Sequence, residues 1–372
     1  MVIIESNVGA KGEWTLASHP SFEVASAPDD SSEPLYRVVG LASLGDHMVV
    51  ANGGTNQIFF YDSAGNRVRS VGREGGGPGE FERLSAIFVV PGDSLLTFDT
   101  RLGRFQIFDP EGRFVRSFSL SGSQGGEGLT GGMPLGVGAE RTLVIRTLRF
   151  PGQEHARSRV SRATMNVLAY TLTGEFRDSL VSAPGWEAFN SSSGRLGNMP
   201  IPFGHSSSLS TWRDGVIVGS SQTNEIRFYA FDGRLKRIIR NVAPPGPRVE
   251  PQEVSAIIAR AADHAPPGMS AEMSAEFRAL YDEMPIPDRK APFNWIYSGR
   301  DGSLWVLTSQ GDESTRRMLI FDERDGRSAW LSIPREFQPF EVRHESVLGV
   351  WKDELGLETI REYRIESRAA KP

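Results

Sequence analysis

GDHMVVAN at residues 45–52 and GDSLLTFD at 92–99 are the same short sentence written twice: a polar turn, then an apolar run of strand-forming residues. Four more variants follow, AERTLVIR (139–146), RDGVIVGS (213–220), RDGSLWVL (300–307) and HESVLGVW (344–351). Their turn residues are Asp46, Asp93, Glu140, Asp214, Asp301 and Glu345; Asp93 lies 47 residues after Asp46, and Glu140 47 after Asp93. A repeat of about 40 to 50 residues built from short strands is the period of a β-propeller blade.

Five of the six runs lead into a second, aromatic strand and another turn: IFFYDSAG (58–65), FQIFDPEG (105–112), VLAYTLTG (167–174), IRFYAFDG (226–233) and MLIFDERDG (318–326). Glycine at the end of these words supplies the positive φ that a tight hairpin needs. Continuous Val, Ile, Leu and Phe suit strands buried on both faces between stacked sheets. The sequence therefore predicts an all-β fold, one six-bladed β-propeller spanning residues 1–372. The sixth unit has its second-word equivalent, LETIREYRI (357–365), but no further strand before Pro372. Residues 14–24 (WTLASHPSFEV) have no blade of their own, so they are expected to supply that missing outer strand and close the ring.

Composition agrees. Forty Gly and 23 Pro without a collagen-like period fit frequent turns, and 39% apolar with 23% charged residues is ordinary for a globular chain. The net charge of −5 provides no general attraction to nucleic acid or to an anionic membrane. No apolar run of 18 residues exists to span a bilayer. The absence of cysteine removes disulfides, thiolate metal sites and a cysteine nucleophile. Residues 1–8 lack the basic and apolar regions of a secretory signal.

In an antiparallel blade the first-to-second and third-to-fourth turns share one face of the disc. The second-to-third turns and the inter-blade links share the other. The short turns quoted above belong to the first set, and the long segments 72–83, 121–134, 149–165, 182–208, 243–292 and 309–316 to the second. Insertions gathered on one face mark the expected binding face. The longest, 249–289, predicts two helices between blades four and five. PQEVSAIIARAA opens on Pro251 and stripes Val254, Ile257, Ile258 and Ala261. After an N-cap at Ser270, Met273, Phe277, Leu280, Tyr281 and Met284 form a second stripe. The pair is expected to pack on the propeller; a cap over the channel mouth is the sharper alternative.

VGREGGGPGEF (71–81), the turn-strand words and the ending VLGVWKDELGLETIREYRI (347–365) resemble bacterial six-bladed propellers related to the NHL-repeat group, over nearly the whole chain. The resemblance implies an exported, extracytoplasmic protein. Members of that broad fold group also include calcium-dependent lactonases and esterases whose metal sits in the central channel.

Searched for chemistry, the sequence yields candidates rather than a motif. The glycine-rich word lacks the Lys-Ser/Thr ending of a phosphate loop. The six histidines show no zinc spacing, and there is no GxSxG nucleophile elbow. His205, in PIPFGHSSS, is singled out because its link leads toward the channel. A calcium site needs six to eight oxygens; Asn52, Glu80, Asp99, Asn224 and Asn294 stand near strand mouths and are the metal candidates, although turn roles are commoner for such residues. Arg73, Arg101, Arg104, Arg149, Arg157 and Arg159 fall on the insertion-bearing face and are candidates for carboxylate or phosphate groups. The expected function is therefore non-enzymatic binding of a protein, glycan or anionic small molecule by a monomer that needs no cofactor. The alternative is a calcium-dependent hydrolase or lyase with its site in the channel.

Overall fold

A computed structural model describes residues 2–5, 12–25, 34–121, 129–150, 159–190, 197–263, 271–299, 301–322 and 328–368. Three short strands come first, β1 (Val2–Glu5), β2 (Glu13–Leu16) and β3 (Phe22–Ala25). Antiparallel units of neighbouring strands follow. The first is β4 (Val38–Leu44), β5 (His47–Asn52), β6 (Gln57–Tyr61) and β7 (Arg67–Val71). The second is β8 (Leu84–Val90), β9 (Ser94–Asp99), β10 (Arg104–Phe108) and β11 (Phe114–Phe118). The third, β12 (Leu129–Gly138), β13 (Thr142–Arg149), β14 (Val160–Tyr170) and β15 (Phe176–Phe189), carries the short β16 (Met199–Pro200). The fourth is β17 (Ser207–Trp212), β18 (Gly215–Ser220), β19 (Glu225–Ala230) and β20 (Leu235–Arg240).

Helices α1 (Pro251–Asp263) and α2 (Ala271–Glu283) interrupt the series. The fifth unit is β21 (Phe293–Ser298), β22 (Ser303–Gly311), β23 (Thr315–Asp322) and β24 (Ser328–Pro334). The sixth has three strands of its own, β25 (Phe337–Val342), β26 (Ser346–Lys352) and β27 (Glu358–Arg368).

The first strand of each unit contacts the first strand of the next: β4 with β8, β8 with β12, β12 with β17, β17 with β21 and β21 with β25. β25 in turn contacts β4, so the innermost strands make a closed ring and the fold is a β-propeller. Each junction holds its own apolar cluster. Period-two alternation explains why the words are apolar throughout. On β5 and β6, Val49 and Phe60 pack toward the second unit, while Val50 and Phe59 pack toward the sixth. The hairpin glycines behave as read, with φ of 83° at Gly65 and 74° at Gly112.

Closure by the N-terminal segment is present and more extensive than expected. β3 pairs antiparallel with β27, placing Val24 beside Ile360, and so completes the sixth unit. β2 lies between two units, parallel to β24 and antiparallel to the far end of β27. β1 adds a parallel fifth strand outside β20 of the fourth unit. The segment thus runs along the rims of three units.

Candidate functional site

Long connections and strand ends meet on one face, where a repeated backbone clasp fixes them. In five of the six units a residue near the end of the second strand, or just past it, donates its N–H to the link entering the same unit: Gly53 to Arg37, Thr100 to Arg83, Ser221 to Ser206, Ser309 to Pro292 and Lys352 to Glu336. Side chains reinforce it. Asn52 accepts from the Tyr36 N–H at 2.9 Å and donates to the Pro34 carbonyl and Thr55 Oγ1, both at 3.0 Å. Asp99 accepts four N–H bonds, from Glu82 (2.7 Å), Arg83 (3.0 Å), Arg101 and Leu102 (both 2.9 Å). Asn224, at φ 53°, spans to the next link, donating to the Ala243 carbonyl and accepting from its N–H.

Glu80 belongs to the glycine-rich link. It accepts from the Gly77 N–H at 2.7 Å and pairs with Arg73 at 2.6 Å, contacts that hold its carboxyl below the usual carboxylate range. Arg104 donates to the carbonyls of Gly76, Gly77 and Glu80, bracing the same link from β10. Arg73, Glu80 and Arg104 therefore come together, while Arg101 pairs with Glu82 at 2.9 Å nearby. Asn294 bonds Ser309 Oγ at 3.2 Å on the fifth unit. Among the described residues no group of three or more His, Asp or Glu is arranged to hold a metal ion.

A second polar cluster joins the third and fourth units. β14 and β15 are 11 and 14 residues long against five each for β6 and β7, so the third unit carries its hairpin further. Arg162 pairs there with Glu187 at 2.7 Å and donates to Gln222 Oε1 at 2.8 Å. Glu187 also accepts the His205 N–H at 2.9 Å. Burial raises the Glu187 pKa, but this bond and Arg162 outweigh it and hold the carboxyl below its ordinary value. The Ser221 hydroxyl lies 3.4 Å from His205 Nδ1, yet it donates to the Ser206 carbonyl at 3.0 Å. Its proton is committed to the backbone and Glu187 touches the main chain of His205, so the three side chains form a brace without the relay a nucleophilic serine requires.

The helical pair stands beside this brace. Leu280, Tyr281 and Met284 bury against Phe189 and Ile201, with Phe277, Ile257 and Ile258 partly buried around them. Val249 and Lys290 tie the stems of the insertion together through the Asp288 and Pro247 carbonyls. Arg159 pairs with Glu283 and lies 4.8 Å over the Phe189 ring, pinning α2 to the third unit. Arg149 is exposed at the end of β13, and Arg157 lies outside the described residues.

Between α1 and the fifth unit a cleft of about 620 Å³ remains, lined by Phe203, Glu253, Lys290, Gln310, Arg316 and Arg335 among others. Lys290 pairs with Glu253 and sits 5.4 Å over the Phe203 ring. Arg316 donates to Gln338 at 3.1 Å and Arg335 to the Asp312 carbonyl at 2.8 Å. Phe203 itself holds φ at 62°, a conformation that costs a bulky residue roughly 1–3 kcal/mol. The sequence marks the link and its histidine. The cleft forms only when two distant connections meet, and no local pattern announces that.

No protein-family model matches the sequence, and no curated protein matches it. Solved structures do resemble it. A Bacteroides vulgatus member of the DUF4221 family aligns with a TM-score of 0.56 at 8% identity, covering 97% of this chain and 100% of its own. A Bacteroides fragilis chain named "Putative exported protein" aligns with a TM-score of 0.52 at 11% identity, covering 100% and 99%. At such identities the likeness is one of fold.

Proposed function

We propose that this chain is an extracytoplasmic binding propeller whose insertion-bearing face receives a protein or an anionic ligand in the cleft beside α1. The observation that carries the reading is Phe203. A phenylalanine is kept at positive φ in the wall of a cleft whose other walls carry Lys290, Arg316 and Arg335. Strain of this kind persists where surrounding structure imposes it, and it gathers at ligand clamps. Among the described residues, three cations against Glu253 and Glu313 leave the lining with a positive excess of one, which suits a carboxylate or phosphate on the partner. The exported-protein name of one structural neighbour supports the extracytoplasmic address. No helix of the described residues is long and apolar enough to cross a membrane.

The test is capture from a cell-envelope extract on the immobilised protein. Arg316→Glu with Arg335→Glu should reduce the captured partner at least tenfold. Asp46→Arg with Glu345→Arg, exposed on the opposite face, should leave it unchanged. Equal capture by both double variants would overturn the assignment of the face.

A further inference from the structure

A cavity of about 440 Å³ runs along the axis of the ring, lined by the innermost strands of all six units. One lining residue comes from elsewhere. Arg146 belongs to β13, the second strand of the third unit, and reaches the axis past β12. Its ladder partner is Met133, and the β12 register slips on both sides of that pair, between Thr130 and Met133 and again between Pro134 and Gly136. The inner strand is thus irregular on both sides of the residue paired with Arg146.

Nothing among the described residues answers this charge. Arg146 Nε is buried without a hydrogen-bond partner. Burial alone lowers its pKa, with no carboxylate acting the other way. Among the described residues the lining holds one carboxylate, Glu341, which Arg343 holds at 3.0 Å; Arg343 also bonds Glu362 at 3.0 Å and Ser43 at 2.6 Å. That pairing lies within a network of its own across the sixth and first units. The rest of the lining is mainly apolar and includes Phe88, Phe340, Tyr297 and Trp295, the last 47% exposed although it faces a cavity. A desolvated guanidinium binds a carboxylate through two parallel bonds, and the uncovered indole offers a flat apolar wall. A cavity of this size falls within the range of small-molecule sites, about 300–1,000 Å³.

We propose that the axial cavity binds a small arylalkyl carboxylate, its carboxylate on the Arg146 guanidinium and its ring among Trp295, Tyr297 and Phe88. This site is independent of the cleft beside α1. The probe is phenylacetate, titrated calorimetrically into the full chain beside phenylacetamide, acetate and inorganic phosphate. Phenylacetate should bind saturably and at least tenfold more tightly than each of the other three. Arg146→Gln should weaken it at least tenfold, Trp295→Ala should weaken it severalfold, and Arg149→Gln on the exposed end of the same strand should change nothing. Phenylacetamide binding as tightly, or Arg146→Gln binding as well as the wild type, would overturn the role of the charge. Phosphate or acetate binding as tightly would overturn the role of the ring. Absence of phenylacetate binding would overturn the site. Arg146→Met supplies a readout apart from binding: removing an unanswered charge should raise Tm by about 2 °C. A fall in Tm would mean that Arg146 serves the fold instead.

Discussion

At the scale of single residues, the polar side chains at strand ends act on the backbone. Asp99 is wholly buried and spends its two oxygens on four N–H groups, two in the link before β8 and two in the turn after β9. Asp99→Ala leaves these donors without their acceptor, and several such losses together should cost about 3 kcal/mol. Asp99→Asn keeps one acceptor oxygen and should cost roughly half as much. Urea unfolding measures both, and a loss below about 1 kcal/mol for the alanine variant would show that water replaces the clasp. The sequence marks Asp99 as a strand-end oxygen donor and leaves open what it contacts, because the partners at 82 and 83 lie a full strand pair away. Arg146 was less legible still. In TLVIRTLR it is one of four polar residues in a strand otherwise of Leu, Val and Ile, and its reach to the axis goes with slips in β12 that period-two patterning does not encode.

At the scale of elements, what a local turn announces was legible and what long-range pairing decides was not. The words at 45–52 and 58–65 supply β5 and β6, as their apolar runs predict, and Gly65 turns the chain into β7 at positive φ. The closing role of residues 14–24 was legible by subtraction, since one unit lacked a strand. Only β3 fills that vacancy; β2 and β1 add in parallel to β24 and β20, an arrangement with no turn signal in the sequence. The two amphipathic stripes foretold the helical pair and its packing. Its cluster of Phe189, Ile201, Leu280, Tyr281 and Met284 shares no member with the six junction clusters. Leu280→Asp should therefore release the insertion and spare the ring. Hydrogen exchange should show α2 amides unprotected while those of β18 and β22 stay slow. Loss of protection in β18 as well would make the insertion part of the ring's core.

At the scale of the whole molecule, a closed ring has no privileged end, provided the seam is as well packed as the other junctions. The seam lies between the sixth and first units, where Leu348, Val350 and Ile360 meet Leu41, Val50, Phe59 and Tyr61 over Val24 of β3. An ordinary junction, between the fourth and fifth units, packs Ile217, Ile226 and Phe228 against Phe293, Val306 and Leu319. Both are dry: Leu348 is 1% exposed and Leu319 is 2%. Truncating either leucine to alanine should cost about 2–5 kcal/mol, with the two losses within about 1 kcal/mol of each other. Cooperativity follows from the same geometry. Separating one junction alone exposes an apolar layer on two units while the other five junctions still hold them in place, so partial opening gains little chain entropy for the surface it wets. Urea transitions followed by far-ultraviolet circular dichroism and by tryptophan fluorescence should then coincide for both variants, as one all-or-none step requires. If Leu348→Ala alone separates the two midpoints, the ring opens first at the seam, and the strands of the N-terminal segment are a latch weaker than the sheets they join.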